Sequence, residues 1–421
     1  MAEIEIGRTP PGISILPFYF TGALAFVALT VFLFLSSDSL TGHYFSPHLL
    51  ALVHTAALGW GSMVIFGAAY QLLPVICERD LFQPTLAFAS YLFLTIGTLL
   101  LVISFWDFQV GLIMISGGAC IVLAALLYLI NVLGTSGAIR QYSIQHLFLS
   151  SSAFWLLFTT LIGLLLAINL AFPFFIRNHL DILKLHAHAG LAGWFLQLIT
   201  GVSTKLVPMF LLSTSEKKGQ LVVAFCLQNI GLMGFLADAF CSQSLARAPL
   251  YLSLVLLGTI FWLVFLFDVF KKRLRKKTDL QMQHTLVSII SLLLAFLTLG
   301  MVLNQQDNRW TLLYGMLLFM GWISSLILGM TFKTLPFIVW SNHYKLLSGK
   351  VKVPLPKDLY HERLVKYQFY LLIGSIALLT VAILIQSNML LQVALFFWMA
   401  LAFVYFYNTL QVLFHKTNIL P

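Results

Sequence analysis

The amino-acid sequence predicts an all-α integral membrane protein, twelve transmembrane helices arranged as three pseudo-repeats of four. Three observations predict it. Sixty per cent of the 421 residues are hydrophobic and 9% are charged, with a mean hydropathy of +0.96. Apolar runs of about 20 residues, the length that crosses a bilayer as a helix, recur along the whole chain. One phrase, built on a Gly-Trp pair and a later proline, occurs three times at nearly constant spacing.

The predicted spans cover residues 14–36, 48–76, 84–105, 109–133, 147–172, 184–212, 219–241, 248–270, 282–303, 311–340, 366–386 and 389–414. Short connections join them, so residues 1–421 read as a single membrane domain. Its repeats cover about 14–133, 147–270 and 282–414. The start, "MAEIEIGRTPPG", is polar and acidic, which predicts an uncleaved first span rather than a signal peptide. Cys77, Cys120, Cys226 and Cys241 have no C-x-x-C spacing and read as small hydrophobes in or beside helices.

The net charge of +10 reads as a topology signal. Lys and Arg number 18 on the side that holds both termini and the even-to-odd loops, including "KKRLRKK" from Lys271 to Lys277. The opposite side holds 4: Arg177, Lys184, Arg247 and Arg309. Basic residues favour the cytoplasmic side of short loops, so both termini are expected in the cytoplasm of a cell (inner) membrane protein. The same residues suit anionic lipid headgroups. No basic domain stands apart from the membrane, which excludes nucleic acid as a partner and leaves the lipid bilayer.

The repeated phrase reads "HTAALGWGSMVIFGAAYQLLPVI" from His54, "HAGLAGWFLQLITGVSTKLVPMF" from His188 and "MLLFMGWISSLILGMTFKTLPFI" from Met316. Trp60, Trp194 and Trp322 each follow the opening residue by 6 positions and precede Pro74, Pro208 and Pro336 by 14. Gln145-His146 and Gln283-His284 echo each other at the start of spans 5 and 9. Four spans is an even number, so the repeats are parallel, as in one class of repeat-built membrane proteins. Spans 2, 6 and 10 carry the small and polar residues that allow close approach and are expected to be the inner helices.

Those spans run from outside to inside, which puts His54, His186 and His188 in the outer half of the membrane. Ionisable groups there are costly and functional by default. His186 and His188 are two residues apart, about 200° around a helix, so they face nearly opposite sides and do not share one ion. His43, His48 and His179 read as interfacial, and His146, His284, His343, His361 and His415 as structural residues of the cytoplasmic face. The Gly-Trp pairs read as packing. A flat, apolar haem with axial imidazoles suits these histidines, and glycines beside them would let the ring approach. Zinc would need a denser ligand cluster.

Twelve helices in three pseudo-repeats resemble the catalytic subunit (subunit I) of the haem-copper oxidases. "HAHAGLAGW" resembles the H-x-H helix of the C-type cytochrome oxidases and nitric oxide reductases, and "HTAALGWGSMVIFGAAYQLLPV" resembles their second helix. The chain also looks like short, divergent members of the superfamily, including the NnrS proteins linked to nitric oxide stress. The resemblance implies that His54 is an axial ligand of a low-spin haem, that His188 completes it, and that His186 holds a reactive haem. It implies a non-covalent haem of b type, since the chain has no C-x-x-C-H. A cytochrome or quinol donor and further membrane subunits are the implied partners.

The chain departs from the family in several places. The family's H-x-H lies on its tenth helix, whereas span 10 here offers Met316, so a His188–Met316 ligation is an alternative to two histidines. The copper site of the family takes three histidines, yet span 7, "LVVAFCLQNIGLMGFLADAF", has none. Copper would need His43 or His48 to fold inward. Lys205 and Lys333 each precede the shared proline by three residues and are expected to snorkel to the headgroups. The resulting expectation is a haem-binding redox protein working in electron transfer or on a small diatomic gas, O2 or NO. The competing expectations are a cofactor-free transporter or sensor, and an assembly or nitrosative-stress protein.

Overall fold

The computed structural model describes residues 10–40, 42–137, 143–242, 244–305 and 307–417. Two basic residues of the topology count, Arg8 and Arg140, lie outside them. Among the described residues the regular structure is helical, apart from one isolated bridge between Ser348 and Val351.

Among the described residues twelve helices are long and apolar enough to cross a membrane: Gly12–Leu35, Pro47–Cys77, Pro84–Trp106, Leu112–Ser136, Ile144–Ala171, His179–Leu211, Lys218–Ser242, Ala248–Lys271, Leu280–Asn304, Asn308–Tyr344, Glu362–Leu384 and Asn388–Leu413. They are numbered spans 1 to 12. Helix is the only open-ended structure that meets every backbone hydrogen bond without water, and the apolar composition leaves these segments nowhere else to go. Polar side chains set several starts. Ser46, Asn178, Asp279, Asp307 and Ser387 each accept from a backbone amide in the first turn of the following helix.

Burial separates the spans into two kinds. In spans 2, 6 and 10, 72%, 67% and 72% of the most apolar window is buried, against 28–44% in the other nine. The helices that carry the repeated phrase are therefore the inner ones, and the rest leave large apolar side chains such as Phe154, Leu161 and Ile230 exposed. A protein surface of this kind is stable only against lipid.

By backbone contacts the chain divides into two compact units. The first contains Leu73–Phe93 and Val110–Thr278, hence spans 4 to 8 with the end of span 2 and the start of span 3. The second contains the described residues up to Leu72, with Leu94–Gln109 and Asp279 onward. In the first unit, span 5 packs on spans 4 and 6, and span 7 on span 8. In the second, span 12 packs on spans 1 and 11, and span 9 on span 10.

Each inner span contains a feature that the apolar pattern does not announce. Thr55–Ser62, Ala189–Leu196 and Leu317–Ile323 are π-helical, flanked by α-helix on both sides. A π-helix bonds i to i+5, is rare, and is frequent at functional sites. All three start directly after the opening residue of the repeated phrase: His54, His188 and Met316.

The tryptophans of the phrase are core residues, exposed by 1%, 1% and 2%. Trp60 stacks on Phe26 at 4.4 Å and donates its indole N–H to Ser324 at 2.9 Å. Trp194 meets the edge of Tyr128 at 5.4 Å. The backbone carbonyl of Trp322 accepts from the Ser288 hydroxyl at 2.8 Å. This is packing, in agreement with the sequence reading of the Gly-Trp pairs.

The two intramembrane lysines differ from each other. Lys205 is 41% exposed and lies 3.9 Å from Glu78, the geometry of a snorkelling side chain. Lys333 is 12% exposed and is ion-paired with Asp279, the residue that caps span 9. Snorkelling therefore does not describe Lys333: a carboxylate placed beside span 10 holds the ammonium inside the protein. Near the end of the second unit that holds span 12's C-terminus, the Tyr344 hydroxyl meets Nε2 of His415 at 2.7 Å, and His343 Nδ1 meets the Thr417 hydroxyl at 2.8 Å.

Two outcomes follow from this packing. A Cβ on Gly193 would lie 2.5 Å from Trp155 Cγ, and Trp155 is tethered through its indole to Asn229 at 3.0 Å. Gly193→Ala should cost about 1–3 kcal/mol of stability by overpacking, while Gly300→Ala, with open space around it, should cost far less. Thermal unfolding of the purified variants checks both. Burial, and then the neighbouring His343, hold the His415 imidazole below its ordinary value of 6.5. A depressed histidine stabilises the fold fully above that value and loses its contribution as pH falls beneath it. Between pH 7.5 and 5.5 the wild type should lose stability relative to His415→Gln. Parallel pH profiles for the two proteins would contradict this.

Candidate cofactor site

The repeated phrase places each candidate ligand at the same point of its helix, one residue before the backbone widens into the π segment. In the second unit His54 is half-buried. Its Nδ1 lies 2.7 Å from the carbonyl of Leu50, four residues back, and its ring stacks on Phe105 of span 3 at 4.7 Å. In the first unit His188 repeats the arrangement. Nδ1 lies 2.8 Å from the carbonyl of Lys184, again four residues back, and the ring meets Phe235 of span 7 at 5.2 Å.

A carbonyl can only accept, so Nδ1 carries the proton in both rings. In the neutral imidazole the lone pair then resides on Nε2. This is the tautomer of a metal-ligating histidine, in which the other nitrogen donates to a backbone carbonyl and fixes the ring. The same helix-borne bond limits rotation of each ring. The donor chemistry of His54 and His188 thus fits an axial ligand of haem.

His186 is placed differently. Its Nδ1 lies 2.9 Å from the carbonyl of Thr159 on span 5, and a Cβ on Gly163 of that span would lie 2.9 Å from its Cε1. The imidazole is seated in a notch and bonded across the helix interface. His186 therefore packs against span 5 and His188 against span 7. Around both is an apolar cluster of Leu166, Ile182, Leu185, Ala189, Leu232 and Leu236.

Met316 is 5% exposed in the core of the second unit, in the position that histidine takes in the other two repeats. His43 accepts from the amide of Phe45 in its own loop, and His48 lies edge-on to Trp106 at 4.6 Å. His179 meets Asn169 at 3.2 Å. At the start of span 5 His146 caps the helix through Ser143, and in span 9 His284 is fully buried between the Leu280 carbonyl and Gln368.

The glycines correct one expectation. Their sequence pattern predicts room for a flat ring, yet each is filled by a neighbouring helix. Gly193 faces Trp155, Gly190 faces Thr159, and Gly59 faces Ala25 and Thr98, so that a methyl added at any of them would lie 2.5 to 3.4 Å from those side chains. Close helix approach explains these glycines completely.

Sequence reading missed two sets of residues. The acidic partners, Glu78 and Asp279, sit in loop and cap positions whose spacing carries no period. The amides of buried Gln197 and half-buried Asn229 were legible as polar residues in apolar runs, but periodicity gives no partner for them. No protein-family model matches the chain, and no curated protein matches it in sequence.

Proposed function

We propose that the chain is a haem-binding redox protein of a cell membrane, in which His54 and His188 each serve as an axial ligand through Nε2. One observation carries the reading: two histidines at equivalent positions of a repeat, each with Nδ1 bonded to the carbonyl four residues earlier, each opening a π-helical segment. His284, a packing residue, makes the same Nδ1 bond to the carbonyl four residues back, so it is the shared position ahead of a π-helical segment that sets His54 and His188 apart. The resemblance of "HAHAGLAGW" to the haem-copper oxidase superfamily supports the same reading. The 18-to-4 distribution of basic residues supports cytoplasmic termini.

The residues divide the work. Leu50 and Lys184 hold the two imidazoles through their carbonyls and keep the basic nitrogen turned away from the helix backbone. Phe105 and Phe235 limit ring rotation from the adjoining spans. His186 anchors span 6 to span 5, which sets the height of His188. A haem held by His54 or His188 would supply one-electron transfer or a binding site for a diatomic gas. A cytochrome or quinol as electron donor belongs to the same proposal.

Purified full-length protein from haem-replete cells should show a sharp reduced-minus-oxidised band. His54→Ala and His188→Ala should each lose at least half of its amplitude per chain, with the helical content unchanged by circular dichroism. Colourless wild-type protein, or a band that survives both substitutions intact, would remove the proposal.

A further inference from the structure

Mid-depth in the first unit, spans 5, 6 and 7 meet through a polar cluster that the haem reading does not use. Asn229 lies 11 residues from Lys218 and 13 from Ser242, at the middle of span 7. Its Oδ1 accepts from Ser151 at 3.2 Å, from the Trp155 indole at 3.0 Å and from Gln197 Nε2 at 2.9 Å. Its Nδ2 donates to the carbonyl of Phe225 at 2.9 Å. That last bond fixes which way the Asn229 amide faces. Gln197 must then offer Nε2 to it, which turns Oε1 of Gln197 elsewhere.

Oε1 of Gln197 is sealed from solvent and meets no donor within the protein, and Gln197 is 0% exposed. One turn on, Thr200 is also 0% exposed, and its hydroxyl has no partner either. Other threonines of this unit return their hydroxyls to their own helix: Thr159 to Trp155, Thr204 to Gly201 and Thr259 to Val255, at 2.7 to 2.9 Å. Thr200 forgoes that bond. Residues three apart share a helix face, with Cβ atoms about 5–6 Å apart. The orphaned acceptor and the orphaned hydroxyl thus belong to neighbouring side chains on one face of span 6.

An orphaned carbonyl oxygen calls for a donor, and a hydroxyl can supply the guest with one in return. Water does both, and it is the group that buried polar atoms recruit when the protein leaves them unpaired. The cluster holds no carboxylate, so nothing in it compensates a cation's charge. We propose that Gln197 and Thr200, backed by Asn229, form an intramembrane water-binding site at mid-depth between spans 5, 6 and 7. The bound water completes the hydrogen bonding of both side chains and makes this cluster a hydrated point inside an otherwise apolar layer.

Thr200→Val tests it, because the substitution keeps the shape and removes only the hydroxyl's bonds. If water bridges the site, Thr200→Val lowers the thermal midpoint of the full-length protein. It also lowers radiolytic hydroxyl labelling of Trp155 at least twofold. Thr200→Ser, which keeps the hydroxyl, retains most of both. If the hydroxyl is instead an orphan in a dry pocket, Thr200→Val raises the midpoint, since an unpaired polar group is better replaced by an apolar one. A raised or unchanged midpoint, or unchanged labelling, overturns the proposal. So does a wild-type midpoint that rises in sodium chloride relative to choline chloride, which would identify the guest as a cation.

Discussion

A backbone amide in hydrocarbon must find its partner within its own helix, and that constraint governs the rest of this structure. It makes every span a helix, and it makes any departure from α geometry expensive enough to need a reason. Among the described residues the inner spans turn π-helical three times, at Thr55–Ser62, Ala189–Leu196 and Leu317–Ile323, each time at the same step of the repeat. A π segment keeps the backbone bonded while shifting the residues after it around the axis relative to those before it. In this way the phrase separates two tasks on one helix. In the proposed reading the residue ahead of the segment presents a ligand, while the Gly-Trp pair within it packs the core.

The polar side chains follow the same economy. Asp279 caps span 9 and pairs with Lys333, so one carboxylate serves a helix end and a buried ammonium. Trp155 gives its indole to Asn229 and its ring to the notch at Gly193, so this close glycine contact and the amide cluster depend on each other. His186, bonded to span 5, carries no visible share in the donor chemistry of His188, two residues away, yet it fixes where that residue sits.

Much of this was legible in the sequence, for identifiable reasons. Span number, span limits to within a few residues and the inner rank of spans 2, 6 and 10 follow from length, hydropathy and the repeated phrase, which local composition alone determines. The divergence of His186 and His188 followed from 100° per residue. The π segments were not legible, since their apolar and glycine content is that of any inner helix. The division into two units was not legible either: it cuts through spans 2 and 3, where the repeat gives no boundary. The glycines misled because a gap in side-chain volume can admit a cofactor or a helix, and only the neighbours decide. Lys333 misled because its partner lies 54 residues away.

Iron X-ray absorption on the oxidised, full-length protein tests the central claim most directly, because it reads the ligands rather than the colour. The account predicts iron in a porphyrin with imidazole scattering in excess of the four ring nitrogens, reduced in His188→Ala and in His54→Ala. Iron with no imidazole scattering, or no iron at all, would contradict it.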